Sequence, residues 1–102
     1  MIKYKDNEHI EHDFYICESD FEYLPVIIGE ALSYFRKKQK VTGVELAGAI
    51  GLTQQQISRY ERGTSRLKVS TLFFILQYLN VKLPDFFSHL LSEMKTRRLT
   101  VH

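Results

Sequence analysis

The chain has 102 residues, a formal net charge of +2, 44% hydrophobic and 25% charged residues, and a single cysteine. That length suits one compact domain and is too short for two. No apolar run approaches the ~20 residues of a membrane span, the polar, acidic start MIKYKDNEHIEHD excludes an ordinary secretory signal, and lone Cys17 excludes an internal disulfide, so a cytoplasmic protein is expected.

The modest net charge conceals a division. Residues 1–35 carry two basic and eight acidic side chains, a balance of −6, whereas residues 36–68 carry eight Lys or Arg against Glu45 and Glu61, a balance of +6. A basic block in the middle of the chain points to a polyanionic partner, with nucleic acid the first candidate. Charge alone fits a solvated basic face equally well.

Residues 1–24 read as an N-terminal arm, acidic and aromatic, with Phe14, Ile16, Phe21 and Tyr23 available for packing. The segment from His12 to Cys17 has enough β-forming residues to add a strand. His9, His12, Asp13 and Cys17 lack a zinc-ligand spacing, so no metal is expected. Cys17 reads as a small buried hydrophobe, because no neighbour in sequence supplies an activating cation.

From Pro25 the pattern turns helical and opens a domain expected over 25–95. Proline suits a first helical position, and Ile28, Leu32 and Phe35 fall at i, i+4 and i+7, one apolar stripe. The helix should stop near Lys38 to Lys40, with Arg36, Lys37, Lys38 and Lys40 favourably placed against the C-terminal dipole. Thr42-Gly43-Val44-Glu45 is then a capping box, opening a short helix that Gly51 ends. Thr53-Gln54-Gln55-Gln56 is a second box, with Gln56 better suited to the capping role than to the alternative of a base contact. It opens a third helix that buries Ile57 and Tyr60 and stops at Gly63.

Two such helices joined by a three-residue turn make a helix-turn-helix. The motif needs a small residue where the helices touch (Ala47), a left-handed turn residue (Gly51), and apolar groups at Leu46, Ile50, Leu52, Ile57 and Tyr60. All are present. A fourth helix follows over Val69 to Leu79, with Leu72, Phe73, Ile75, Leu76 and Leu79 turned inward and Asn80 as its stop. Pro84 opens a fifth, with Phe87, Leu90, Leu91 and Met94 on one side, and residues 96–102 read as a tail that frays. The fold class is all-α, a five-helix domain with a short N-terminal arm.

On the stretch TGVELAGAIGLTQQQISRYERG, followed by STLFFILQYLNVKLPDFF, the chain resembles the lambda-repressor/Cro-type (XRE) helix-turn-helix family over roughly Ile28 to Phe87. The resemblance implies a structural ion pair between Arg36 and Glu61. Two positions depart from the family pattern: Gly43 stands where a phosphate-contacting glutamine is usual, and Leu67 where a proline is common. The shorter stretch TQQQISRYE is also similar to a motif of the MrpJ type, small regulators encoded beside fimbrial operons that repress motility genes.

At 100° per residue, Gln55, Arg59 and Arg62 line one face of the third helix, with Gln54 and Ser58 beside them. The N-terminal part of this helix enters the major groove in a helix-turn-helix. A glutamine amide matches adenine N6 and N7, and an arginine fork matches guanine O6 and N7. Gln54, Gln55 and Arg59 are therefore the expected base readers, with Ser58 a weaker contact; ordinary polar surface is the plain alternative. Thr53, Arg62, Arg66 and Lys68 suit phosphate contacts, which position without reading sequence, and Lys37, Lys38 and Lys40 could serve likewise or simply be solvated.

No phosphate-binding glycine loop or nucleophile elbow is present, and the chain reads as non-enzymatic, without cofactor. The leading expectation is a dimeric DNA-binding repressor reading a near-palindromic site. The alternative is a protein-binding module, an antitoxin or adaptor, with the arm as its partner-binding segment. Phe74 and Tyr78 stand four apart on the fourth helix, outside its inward arc, and large exposed aromatics seldom lack a partner. The arm is expected to pack near them, and a symmetric interface is expected on the fifth helix, with Phe86, Phe87, Leu90 and Leu91 as anchors.

Overall fold

A computed structural model describes residues 15–101, and side chains as far as Arg98. These residues form a 3-10 turn at Glu18–Asp20 and five helices: α1 (Leu24–Lys38), α2 (Gly43–Ile50), α3 (Gln54–Arg62), α4 (Val69–Tyr78) and α5 (Leu83–Val101). No strand occurs among the described residues, and none of their helices is long and apolar enough to cross a membrane.

Local chemistry sets most of the boundaries. Pro25 lies in the first turn of α1, and Arg36, Lys37 and Lys38 in its last. Both capping boxes form: Thr42 Oγ1 accepts from the Glu45 amide, and Thr53 Oγ1 from the Gln56 amide. Gly51 (φ 75°) and Gly63 (φ 73°) end α2 and α3 in the left-handed conformation that glycine adopts without a Cβ clash. Asn80 (φ 57°) reverses the chain after α4 in the same region.

The core gathers one apolar face from every helix. Ile27, Ala31 and Leu32 come from α1, Leu46 and Ala47 from α2, and Ile57 from α3. Ile75, Leu76 and Leu79 come from α4 and its end, and Phe86, Leu90 and Met94 from α5. α1 and α5 run antiparallel, so that Phe35 meets Phe86 and His89 near one end while Ile27 and Met94 line one cavity near the other.

Several expectations are corrected here. Helix α5 continues through the segment expected to fray, as far as Val101, because its end is tied down from afar. Arg98 pairs with Asp20 through both carboxylate oxygens and donates to the Tyr15 carbonyl at 2.8 Å. Arg97 reaches Glu30 at 3.6 Å and lies over the Tyr23 ring. The guanidinium beside Asp20 and the Cys17 amide hold its carboxyl below the usual carboxylate range. Cys17 is exposed rather than buried, and its Sγ lies 3.6 Å from Arg98 Nη2, a cation that sequence proximity could not reveal.

This clasp also re-sites the arm. Its described part, residues 15–23, lies against α1 and the end of α5, while Phe74 and Tyr78 remain exposed. Residues 15–17 form no strand; His9, His12, Asp13 and Phe14, on which the metal and strand readings also fell, lie outside the described residues. Phe86 and Leu90 are core side chains, 0% and 7% exposed, so neither can anchor a second subunit without opening the core. Phe87 on the same helix is exposed and Leu91 half-buried. Phe73, expected to point inward, is 46% exposed, since α4 turns it to the rim of the buried arc.

Candidate nucleic-acid interface

Helix α3 is presented outward by contacts on its inner side. Ile57 is 2% exposed and Tyr60 packs against the core. The turn Gly51-Leu52-Thr53 is closed by the Leu52 amide donating to the Ala47 carbonyl at 2.8 Å. Thr53 then starts α3, and its amide donates to Gln56 Oε1 at 2.9 Å while the Gln56 amide donates to Thr53 Oγ1 at 3.1 Å. Gln56 is thereby held at the cap and half-buried. The Thr53 hydroxyl also faces Gln56 Oε1 at 3.2 Å, so most of its hydrogen-bonding capacity serves the cap rather than a phosphate.

Helix α1 braces the other end of α3. Arg36 makes a forked pair with Glu61, Nε to Oε2 at 2.6 Å and Nη2 to Oε1 at 2.9 Å, and its Nη1 donates to the Val41 carbonyl at 2.8 Å. One guanidinium thus ties α1, the α1–α2 connection and the last turn of α3 together. The carboxylate raises the guanidinium pKa above its ordinary value, so Arg36 is charged at any relevant pH. A second brace, at Gly29, belongs to no motif and shows only in the packing. A Cβ there would lie 2.4 Å from the Tyr60 carbonyl oxygen and 2.5 Å from that of Glu61, so α1 and α3 touch backbone to backbone. Gly29 follows the apolar Ile28 in a helical pattern, and only the approach of α3 explains it.

What remains outward is Gln54, Gln55, Arg59 and Arg62, all exposed. Ser58 is half-buried, and its Oγ accepts from Arg62 Nη1, which lays that guanidinium along the helix. Gln54 begins the helix beside the start of α2: a Cβ added at Gly43 would meet its Cγ at 3.7 Å. Arg66 and Lys68 are exposed on the loop after α3, which the Thr64 amide fastens to the Arg59 carbonyl at 3.0 Å. Of the two acids of the basic block, Glu61 is paired with Arg36 and Glu45 accepts from the Thr42 amide in its capping box. Lys37 and Lys38 are exposed at the far end of α1, and Lys38 lies over the Tyr34 ring.

A helix-turn-helix family model matches residues 32–86, more than half of the chain. The chain belongs to the helix-turn-helix family. Among curated relatives, this helix-turn-helix protein is 34% identical over 59 residues to the antitoxin PezA of Streptococcus pneumoniae. It is also 34% identical over 64 residues to an HTH-type transcriptional regulator of Sinorhizobium medicae. These matches cover 58% and 63% of the chain but 37% and 46% of the relatives, so the chain spans under half of their length.

Among solved structures, the fold is similar to the clp gene regulator ClgR of Corynebacterium glutamicum, with a TM-score of 0.72 and 26% identity over 76% of this chain and 82% of that one. It is also similar to the restriction-modification controller protein C.Esp1396I, whose tetramer was solved in complex with its natural 35 base-pair operator. That match has a TM-score of 0.64 and 27% identity over 70% of this chain and 93% of the other.

Proposed function

We propose that this chain is a sequence-specific DNA-binding transcriptional regulator that acts as a dimer, repressing from a near-palindromic site. The observation that carries the reading is the exposed, uncapped set Gln54, Gln55 and Arg59 on the N-terminal two turns of α3. Each can make the paired hydrogen bonds that distinguish base edges in the major groove. Arg62, Arg66 and Lys68 follow as phosphate contacts, with Thr53 and Ser58 contributing more weakly because the cap and Arg62 already occupy them. The similarity to ClgR and to an operator-bound controller protein supports the same reading. A dimer is part of this reading, because half-sites one helical turn, about 34 Å, apart need two recognition helices.

The nonapeptide Thr53 to Glu61 supports motility or fimbrial genes as targets. A second reading, an antitoxin or adaptor, is favoured by the PezA relative alone. In it the arm binds a protein partner and the α3 face is incidental.

The test is selection of preferred duplexes from a random pool, followed by titration of the best one. Gln55→Ala and Arg59→Ala should each lose roughly 1–3 kcal/mol of discrimination at one base pair per half-site. Arg66→Ala should weaken all sequences alike and flatten the salt dependence. Unchanged base preference in both recognition variants would falsify the assignment of this face.

A further inference from the structure

Helix α4 leaves an unusual surface uncovered. Val69 is 67% exposed, Phe73 46%, Phe74 59% and Tyr78 47%. On a helix turning 100° per residue these four, with Ser70 and Gln77 between them, occupy one half-turn of the circumference, opposite the buried Ile75, Leu76 and Leu79. The arc contains three large aromatics and no charged residue. Along one edge Val69 and Phe73 stand four apart. Along the other, Phe74 and Tyr78 form the wall of a groove of about 590 Å³, completed by Gln77 and by Ala49 and Ile50 at the end of α2.

We propose that this face of α4 is where a second copy of the chain docks, Phe73 of each protomer entering the groove of the other. The inference rests on the dimeric reading above and gives it a location. Three features favour a second copy over another occupant. An isologous contact requires one patch to be complementary to itself, and a protruding aromatic edge beside a groove on the same arc meets that requirement. The arc is uncharged, so placing it against its own image incurs no like-charge repulsion, whereas the neighbouring α3 face is strongly basic. The area is also of the right order. An aromatic side chain buries about 150–250 Å², so three roughly half-exposed rings present about 230–380 Å². That is enough for the apolar centre of an interface of about 800 Å² per partner.

The experiment is sedimentation equilibrium of the full chain, with circular dichroism as the fold control, comparing wild type with Phe73→Glu, Phe74→Glu and Phe74→Ala. Both sites are already wet, so the variants should keep the wild-type helical circular-dichroism spectrum. The wild type should be dimeric, and the two glutamate variants should raise its dissociation constant at least ~30-fold, as for the loss of an interface anchor. Phe74→Ala should have a smaller effect in the same direction. Phe87→Glu, on the exposed side of α5, is the counter-test: loss of dimer there with the α4 variants unaffected overturns this location and leaves the dimeric reading standing. A wild type that is monomeric both free and on its selected duplex overturns both. A wild type that dimerises only when residues 1–14 are removed assigns the face to the arm and overturns the proposal.

Discussion

Replacing Glu61 by alanine removes both carboxylate oxygens from Arg36 and leaves the guanidinium with the Val41 carbonyl as its remaining partner in that site. Hydrogen bonds to charged groups contribute roughly 1.5–3 kcal/mol each, and removing one member of a buried ion pair costs about 3–5 kcal/mol. The side chains of Arg36 and Glu61 are 13% and 14% exposed, so water can partly hydrate the stranded cation. The expected loss therefore lies at the lower end, about 3 kcal/mol. For a domain of this size each kcal/mol corresponds to roughly 4–8 °C in the melting midpoint, giving a fall of about 12–24 °C. In urea, with a slope of about 1–3 kcal/mol/M, the midpoint should drop by at least ~1 M.

Equilibrium urea unfolding followed by circular dichroism at 222 nm measures this directly. Glu61→Gln, which keeps one acceptor oxygen and loses the charge, should fall between wild type and Glu61→Ala. A Glu61→Ala variant that unfolds at the wild-type urea midpoint would show that the ion pair does not brace α3. If that stable variant also loses DNA affinity, Arg36 acts at a phosphate instead of bracing α3.

Three further outcomes are expected. Gly29→Ala drives a Cβ into the Tyr60 and Glu61 carbonyls and should destabilise by about 2–3 kcal/mol; a variant with unchanged stability by the same urea assay would mean that α1 and α3 part without strain. Gln56→Ala loses half of the second capping box and should lower stability by about 1 kcal/mol while leaving base preference in the duplex selection unaltered. The Asp20–Arg98 clasp should be pH-dependent. Because the folded carboxyl titrates below its ordinary range, its stabilisation is complete above the unfolded value of about 3.9 and is lost as pH falls through the lowered folded value. Protection of the Cys17 amide, whose N–H donates to Asp20 at 2.7 Å, should fall over that acid window when exchange is compared with its intrinsic rate at each pH. Asp20→Asn should abolish the pH dependence, and an identical profile in the variant would show that another group controls the segment.

The residues themselves determined α1 to α4 and the start of α5, because the devices that start and stop those helices act within four residues. A threonine hydroxyl reaches the amide three positions on, and glycine or asparagine after the last turn supplies positive φ. The outward set Gln54, Gln55 and Arg59 was legible for the same reason, since periodicity fixes which side chains share a face once Ile57 is assigned inward. Contacts between distant segments left no such signature. Asp20 and Arg98 are 78 residues apart, and their meeting, with that of Arg97 and Glu30, ties the end of α5 to the described arm and to α1 and sets Cys17 beside a guanidinium, while Phe74 and Tyr78 stay exposed. Phe86 and Phe87 make the same point at a single turn. Both are phenylalanine and adjacent, yet one is 0% exposed and the other 52%. Composition and spacing along α5 could not rank them, because the choice depends on where α1 places Phe35, and that is decided only when the helices pack.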